Sequence, residues 1–164
     1  MIYSIKKGKH DFFPPEIPCL YRTPVGFSKT YKVEFYSSCV YDMKGDRDQA
    51  DWNKGGGFSF NLFNNTQDAI MWSWRSNTKE IEIGAYWHID GKKFSKYLSS
   101  TQRYAEITIK RHSDFWRVSS GGYSTDIKLA DFTWAKKLGL WFGGENNEEG
   151  DFGGVAPNNM KIKI

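Results

Sequence analysis

The segment KEIEIGAYWHID, residues 79–90, alternates apolar and polar side chains, which is the periodicity of a β-strand with two different faces. One face carries Ile81, Ile83, Ala85, Trp87 and Ile89. The other face carries Glu80, Glu82, Gly84, Tyr86 and His88. The chain is therefore restricted to folds in which a long strand covers an apolar core on one side.

Similar alternation or short apolar runs predict further strands, separated by clusters of Gly, Asn, Asp and Ser. The predicted strands are Ile2–Lys6, Lys29–Tyr36, Phe58–Leu62, Ala69–Arg75, Arg103–Lys110, Phe115–Ser119, Leu138–Phe142 and Met160–Ile164. Asp90-Gly91, Ser76-Asn77 and Gly121-Gly122 are typical tight-turn sequences. One turn of helix is predicted over Ala130–Lys137, because Asp131 can cap its start and Gly139 can follow its end.

Roughly nine or ten closely spaced strands predict an all-β fold, an antiparallel two-sheet β-sandwich or a barrel. The length of 164 residues predicts a single domain over residues 1–164. Aromatic residues make up 17% of the chain, with 7 Trp, 9 Tyr and 12 Phe. That number exceeds what the core of a small domain normally uses, so we expect some aromatic rings on the surface.

The net charge of +4 arises from 23 basic and 19 acidic residues that are spread through the chain. This balance does not favour nucleic acid as a partner, although KRHSDFWR, residues 110–117, combines cations with aromatic rings. We expect no signal peptide and no membrane span, because no apolar run is long enough. Cys19 and Cys39 are predicted to be reduced thiols rather than a disulfide.

Polar side chains on the strands form the first candidate site, because they occupy the outer faces of a sandwich. The residues that could converge on a concave outer face are Asn61, Arg75, Glu82, Tyr86, His88, Glu106 and Thr108. Acids, amides and arginine beside aromatic rings suit the hydroxyls and apolar faces of sugars, which predicts a carbohydrate-binding surface. The alternative is a solvated sheet face with ordinary cross-strand pairs.

Two catalytic alternatives use the same strand. Glu80 and Glu82 resemble part of the E-x-D-x-x-E motif of laminarinase-like glycoside hydrolases, but its third acid falls at Ala85. Tyr86 and His88 share a face, and such a pair beside an arginine can abstract a proton from a uronate, as in jelly-roll polysaccharide lyases. The Q-I-H and Y-x-K-x-G motifs of those lyases are absent from this sequence.

Two acidic loops are candidate metal sites. Asp42, Asp46, Asp48 and Asp51 resemble a calcium-binding loop, but its twelfth position is Asn53 instead of an acid. The loop after Gly144 offers Glu145, Glu148 and Asp151 as calcium ligands. We interpret this second loop mainly as the connection to a final strand, and calcium remains the alternative. No other cofactor is expected.

Three segments taken together carry a family resemblance: DWNKGGGFSF (51–60), IEIGAYWHIDGKK (81–93) and LWFGG…APNNMKIKI (140–164). They resemble segments of small proteins from Bacteroidetes and their bacteriophages, a group related to the concanavalin A-like jelly rolls. In that group, His-Asp usually stands where this chain has Asn158-Asn159, and bulkier residues replace Gly55–Gly57. The resemblance implies a concanavalin A-like jelly roll.

Our prediction is a non-catalytic jelly-roll module with a binding or structural role, and the sharper hypothesis is that an outer sheet face binds polysaccharide. A bacteriophage virion or assembly protein is the first alternative, with other virion subunits as partners and the virion as its location. A jelly-roll polysaccharide lyase or glycoside hydrolase is the second. A homo-oligomer is left open.

Overall fold

Two antiparallel sheets of six strands face each other in the computed structural model, which describes residues 1–143 and 154–164. The strands are β1 (Ile2–Ile5), β2 (Leu20–Arg22), β3 (Ser28–Phe35), β4 (Asn53–Ser59), β5 (Ala69–Ser76), β6 (Ile81–Ile89), β7 (Lys92–Thr101), β8 (Tyr104–Arg111), β9 (Trp116–Ser120), β10 (Tyr123–Ile127), β11 (Trp134–Leu138) and β12 (Met160–Lys163). Two 3-10 turns span Ser37–Cys39 and Arg47–Ala50. The predicted all-β sandwich is confirmed.

Sheet 1 has the strand order β1-β12-β3-β8-β9-β10, and sheet 2 has the order β2-β11-β4-β5-β6-β7. One part of each sheet pairs strands that are distant in the chain, such as β3 beside β8 and β11 beside β4, and the other part pairs consecutive strands. The predicted final strand lies inside sheet 1, between β1 and β3. Among the described helical segments, none is long and apolar enough to span a membrane.

The core between the sheets is aromatic, and it explains one glycine of the sequence. Trp72 and Trp74 on β5 are fully buried, and both rings contact Phe35 of the opposite sheet. A Cβ atom at Gly55 would come within 2.2 Å of the Trp72 ring. Glycine on β4 therefore makes room for the tryptophan, because no larger residue fits between the two strands without displacing the core.

Two of the three predicted tight turns connect hairpins as expected, whereas Ser76 still belongs to β5 and residues 77–80 form the connection to β6. Asp90 and Gly91 join β6 to β7 with φ values of 51° and 77°, the left-handed conformation of a two-residue hairpin turn. Gly121 and Gly122 join β9 to β10 in the same way, with φ values of 60° and 84°. The long alternating segment forms β6, with Ile81, Ile83 and Ala85 fully buried.

Three predicted elements are wrong. The expected strand over Phe58–Leu62 is displaced, because β4 spans Asn53–Ser59 and the chain enters a loop after Ser59. The expected helical turn over Ala130–Lys137 is instead mostly strand β11, because Ala135 packs into the core and its neighbours on either side point outward. Asp131 caps no helix there, and its carboxylate instead pairs with the buried guanidinium of Arg111. The expected strand over Leu138–Phe142 ends at Leu138, and beyond it Trp141 forms only isolated bridges.

Candidate functional site

The outer face of sheet 2 is covered, although its sequence has the polar pattern of a solvated face. Its outward side chains at the centre of the sheet are Lys54, Met71, Tyr86 and His88, with exposed fractions of 9%, 5%, 5% and 2%. β4 is buried at every position, and β5 at every position except Arg75. Polar groups that are this deeply buried need fixed partners, so the face holds a structured site.

Trp52 covers one end of this face. A Cβ atom at Gly84 would lie 2.8 Å from the Trp52 ring, so the glycine allows the indole to approach β6 closely. The Arg75 guanidinium stacks on the other part of the same ring, 4.3 Å from its centroid. Arg75 also binds Glu82 at 2.7 Å and donates to the Ala50 carbonyl. Arg75 and Glu82 therefore fix the covering tryptophan in place.

Lys54, Tyr86 and His88 form the centre of the face. The Lys54 Nζ lies 5.2 Å from the centroid of the Tyr86 ring, within the range of a cation–π contact. The Tyr86 and His88 rings follow each other on β6 with centroids 5.3 Å apart. Strand register places them there, because Tyr86 lies opposite Met71 and His88 opposite Ala69 on β5. The arrangement joins a cation, a phenol and an imidazole.

A chain of hydrogen bonds holds the Lys54 ammonium in position. Lys54 Nζ donates to the Gly143 carbonyl at 2.8 Å, and the Gly143 amide donates to Asn53 Oδ1 at 2.7 Å. Asn53 Nδ2 in turn donates to the Tyr41 hydroxyl oxygen at 3.0 Å. Burial raises the pKa of Tyr41 to about 12, so the phenol stays neutral at physiological pH. The lysine is thereby tied to the core behind the sheet.

A cleft of about 330 Å³ opens beside this centre, and we call it the central cleft. Its lining combines Lys54, Asn65, Thr66, Met71, His88, Leu138, Gly139, Leu140 and Trp141. Trp141 is 38% exposed and stacks on the His10 ring, with centroids 5.2 Å apart and planes 6° apart. The cleft therefore offers cationic, amide and hydroxyl groups beside the exposed ring of a rigid tryptophan.

A smaller depression of about 250 Å³ lies on the far side of Tyr86. Trp52, Tyr86, Lys93 and Phe94 line it, together with Asp51. Lys93 lies directly opposite His88 in the β6–β7 hairpin. The central cleft therefore borders His88 and the smaller depression borders Tyr86 on the outer face of sheet 2.

The outer face of sheet 1 is different, although it carries a larger depression of about 530 Å³. Lys32, Glu34, Tyr104 and Lys163 are among the residues that line it. Glu34 accepts hydrogen bonds from Arg103 and Tyr104, and lies 3.6 Å from Lys163. The Arg103 guanidinium lowers the pKa of Glu34. These groups pair with one another at the surface, which is the pattern of a solvated sheet face.

The structure brings together four of the residues predicted to form a binding surface. Arg75, Glu82, Tyr86 and His88 all lie on the outer face of sheet 2. The expectation that Glu106 and Thr108 converge with them is wrong, because both lie on β8 in sheet 1. The alternation of a strand indicates which side chains share a face, but not which sheet the strand joins.

Asn61 lies outside the face as well. It follows β4 in the loop that leads to β5, and its Oδ1 accepts the backbone N–H groups of Phe63 and Asn64 at 2.9 Å. The side chain stabilises the loop as an Asx turn, which explains the asparagine without a ligand.

The predicted metal ligands Glu145, Glu148 and Asp151 lie outside the described residues. Within the described parts of the chain, no group of three or more His, Cys, Asp or Glu side chains is close enough to hold a metal ion. In the Asp42–Asp51 loop, Asp42 and Asp46 accept the backbone N–H groups of Lys44 and Asp48. These acids stabilise turns of the backbone.

The sequence interpretation did not assign a role to Trp52, Lys54 or Trp141. All three occur in the segments that carry the family resemblance, DWNK and LWFGG. A usable signal was the run Gly55–Gly57 directly after Lys54, since glycines in a strand indicate a close approach of other groups.

No protein-family model and no curated protein matches this sequence. Among solved structures, the alginate lyase AlyC3 matches 98% of this chain and 70% of its own, with a TM-score of 0.58 and 8% identity. AlyC3 in complex with dimannuronate matches with a TM-score of 0.52 and 9% identity, over 98% of this chain and 70% of that one. An uncharacterized protein from Mycobacterium paratuberculosis matches with a TM-score of 0.51 and 9% identity, over 99% and 79% of the two chains.

These similarities are far too low in sequence identity to indicate a shared activity, and they concern the fold. Together with the two six-stranded antiparallel sheets, they identify the architecture. The chain is a jelly-roll β-sandwich.

Proposed function

We propose that this protein binds an acidic polysaccharide on the outer face of sheet 2, along the central cleft. The observation that carries the proposal is the combination of Lys54 and His88 with the ring of Trp141 in the lining of one cleft. The structural similarity to an alginate lyase that has been solved with dimannuronate supports a uronate as the first ligand to test.

Each part of a uronate has a suitable group in the cleft. The carboxylate is attracted to the Lys54 ammonium, whose position is fixed by the Gly143 carbonyl. The apolar face of the pyranose ring suits the exposed ring of Trp141. The hydroxyl groups can exchange hydrogen bonds with Asn65 and Thr66. A neutral glucan would lack the first of these interactions.

Isothermal titration calorimetry with mannuronate oligomers and neutral β-1,3-glucan oligomers tests the proposal. We expect binding of the mannuronate oligomers that weakens as salt is added, because an ion pair is screened. Lys54→Met should lower the affinity roughly tenfold. Lys161→Met, at an exposed position on β12, is the matched control and should leave binding unchanged.

Two results would contradict the proposal: absence of any mannuronate binding, or equal affinity for the neutral glucan with no salt dependence. Circular dichroism and thermal unfolding of each variant show whether Lys54→Met still folds. The salt dependence of the unmodified protein tests the charge interaction even if that variant does not fold.

A second candidate function is β-elimination at a uronate, and the neighbouring Tyr86 and His88 rings, with centroids 5.3 Å apart, favour it. In that reaction a base removes the proton at C5, and an acid donates a proton to the departing glycosidic oxygen. Binding is the stronger proposal, because Tyr86 and His88 are only 5% and 2% exposed. Incubation with alginate, followed by the absorbance of the unsaturated product, tests elimination. Any activity should be lost in Tyr86→Phe.

A further inference from the structure

Trp134 is an exposed tryptophan on the same face of sheet 2 as the central cleft. It is 57% exposed and begins strand β11. Ala135, the next residue, is 1% exposed in the core, so Trp134, Lys136 and Leu138 point to the outer face. Leu138 is a wall of the central cleft. The tryptophan and the cleft therefore share one surface, about 13 Å apart along the strand at about 3.3 Å per residue.

A second depression of about 320 Å³ extends from the central cleft in the direction of Trp134, which does not itself line it. It shares Asn65 and the segment 138–140 with the central cleft, and it extends along β11 as far as Lys136. Lys136 Nζ donates to the Leu62 carbonyl at 2.9 Å, which fixes the β4–β5 loop beside this path. Trp134 is the next outward-facing residue of β11 beyond Lys136.

The surroundings of Trp134 suit an acidic sugar. Arg22 lies directly opposite it on β2, and Lys136 follows it on its own face. No ring or cation of the described residues stacks on the Trp134 indole. An exposed indole between two cationic side chains can stack on a pyranose ring while the cations attract its carboxylate.

We infer that Trp134 is an outer subsite, which stacks on a distal sugar residue of the polysaccharide that occupies the central cleft. The inference rests on the proposed function, since it extends the same binding surface. It predicts that affinity depends on chain length, because a disaccharide in the cleft is too short to reach the indole. Arg22 and Lys136 assist this subsite through charge.

The experiment compares dimannuronate with a longer mannuronate oligomer by isothermal titration calorimetry. The unmodified protein should bind the longer oligomer about tenfold more tightly. Trp134→Ala should lower the affinity for the longer oligomer roughly fivefold or more and leave that for dimannuronate unchanged. Trp134→Phe keeps an aromatic ring, so it should retain most of the higher affinity for the longer oligomer. Tyr123→Ala, which removes a ring 67% exposed on sheet 1, is the matched control and should change neither affinity.

Equal affinity of the unmodified protein and Trp134→Ala for the longer oligomer would overturn the inference while leaving the central cleft as a binding site. An equal loss for both ligands would also overturn it, since the effect would then lie in the cleft. A change of oligomeric state in Trp134→Ala, measured by light scattering, with unchanged affinity would assign the indole to a protein partner instead. If the unmodified protein binds neither ligand, the proposed function fails, and the outer subsite fails with it.

Discussion

The two outer faces of the sandwich have similar alternating sequences and opposite physical states. On sheet 1, Glu34 pairs with Arg103, and Arg117 pairs with Asp126, all at partly or fully solvated positions. On sheet 2, the corresponding outward positions of β4, β5 and β6 are almost completely buried. Alternation of polar and apolar residues is therefore compatible with a bare face and with a covered one.

The difference arises from residues outside the alternating strands. Trp52 lies just before β4, Trp141 lies beyond β11, and the β4–β5 loop contributes Asn65. These segments fold over sheet 2, whereas the charge pairs of sheet 1 remain next to water. A face becomes a site when distant parts of the chain enclose it, because enclosure strengthens electrostatic interactions and orders the side chains.

Replacement of Trp52, the tryptophan that covers sheet 2, should produce the largest difference in stability between the two faces. We expect Trp52→Ala to lower the free energy of unfolding by about 3 kcal/mol, since it removes the indole that packs on Gly84 and Arg75. Tyr104→Ala, which removes a 63% exposed ring from sheet 1, should lower it much less. Chemical denaturation measures both. Similar losses in the two variants would show that sheet 2 has no special cover.

The ion pairs of the two faces should also differ in their contribution to the free energy of unfolding, but by less than the aromatic rings do. Arg75→Ala removes the ion-pair partner of Glu82 and the contact with Trp52. It should lower the free energy of unfolding by about 1–2 kcal/mol. Arg117→Ala breaks a pair with the same 2.6–2.7 Å geometry on the solvated face, and should leave stability almost unchanged. A double-mutant cycle with Glu82→Ala isolates the pair on sheet 2, and a coupling energy near zero would contradict the comparison.

Alkaline pH should act on the network behind sheet 2. Burial raises the pKa of Tyr41 to about 12 from its ordinary value of 10, so the folded chain favours the neutral phenol. The contribution of the neutral Tyr41 phenol to stability is complete below pH 10 and is lost as the pH rises from about 10 to about 12. Thermal unfolding should show a fall in stability over this window, and Tyr41→Phe should make the fall shallower.

Burial also raises the pKa of the Cys39 thiol to about 12, so part of the alkaline loss should remain in Tyr41→Phe. Tyr123→Phe, at an exposed position, is the control for a general effect of tyrosine removal. An unchanged slope in Tyr41→Phe would disprove the assignment of the loss to this phenol.

Acidic pH should produce the smallest change in stability, and this change should arise on sheet 1. The hydrogen bond from Arg103 lowers the pKa of Glu34 below its ordinary value of 4.5. The contribution of this pair is therefore present above that pH and is lost as the pH falls through the lowered pKa. Glu34→Gln should slightly flatten the acid limb of the stability curve. Glu106→Gln on β8 is the comparison, and an identical change in both variants would count against the Arg103 pair.

The strands and hairpins that follow local rules could be predicted from the sequence. β6 alternates over its whole length, and Asp90-Gly91 favours the left-handed turn that joins it to β7. β7 itself was not predicted, because its sequence KKFSKYLSST is largely polar and it lies at the exposed edge of sheet 2. An edge strand needs few apolar residues, so the hydrophobic pattern there is weak.

The site could be predicted only in part. Tyr86 and His88 were identified because they share one face of a strand, which is a local property. The pairing of β8 with β3 in sheet 1 is not local, and it separates Glu106 from them. The roles of Trp52, Lys54 and Trp141 depend on contacts between distant segments, so no period in the sequence indicates them.

The position of β12 has a consequence for the synthesis of the protein. β1 leaves the ribosome long before its strand partner in sheet 1, which is β12, with Ile2 opposite Lys163. β3 likewise pairs with β12 at Phe35 and Glu34. Sheet 1 therefore cannot be completed until residues 160–163 have been translated, and until then the apolar side chains of β1 remain a target for chaperones.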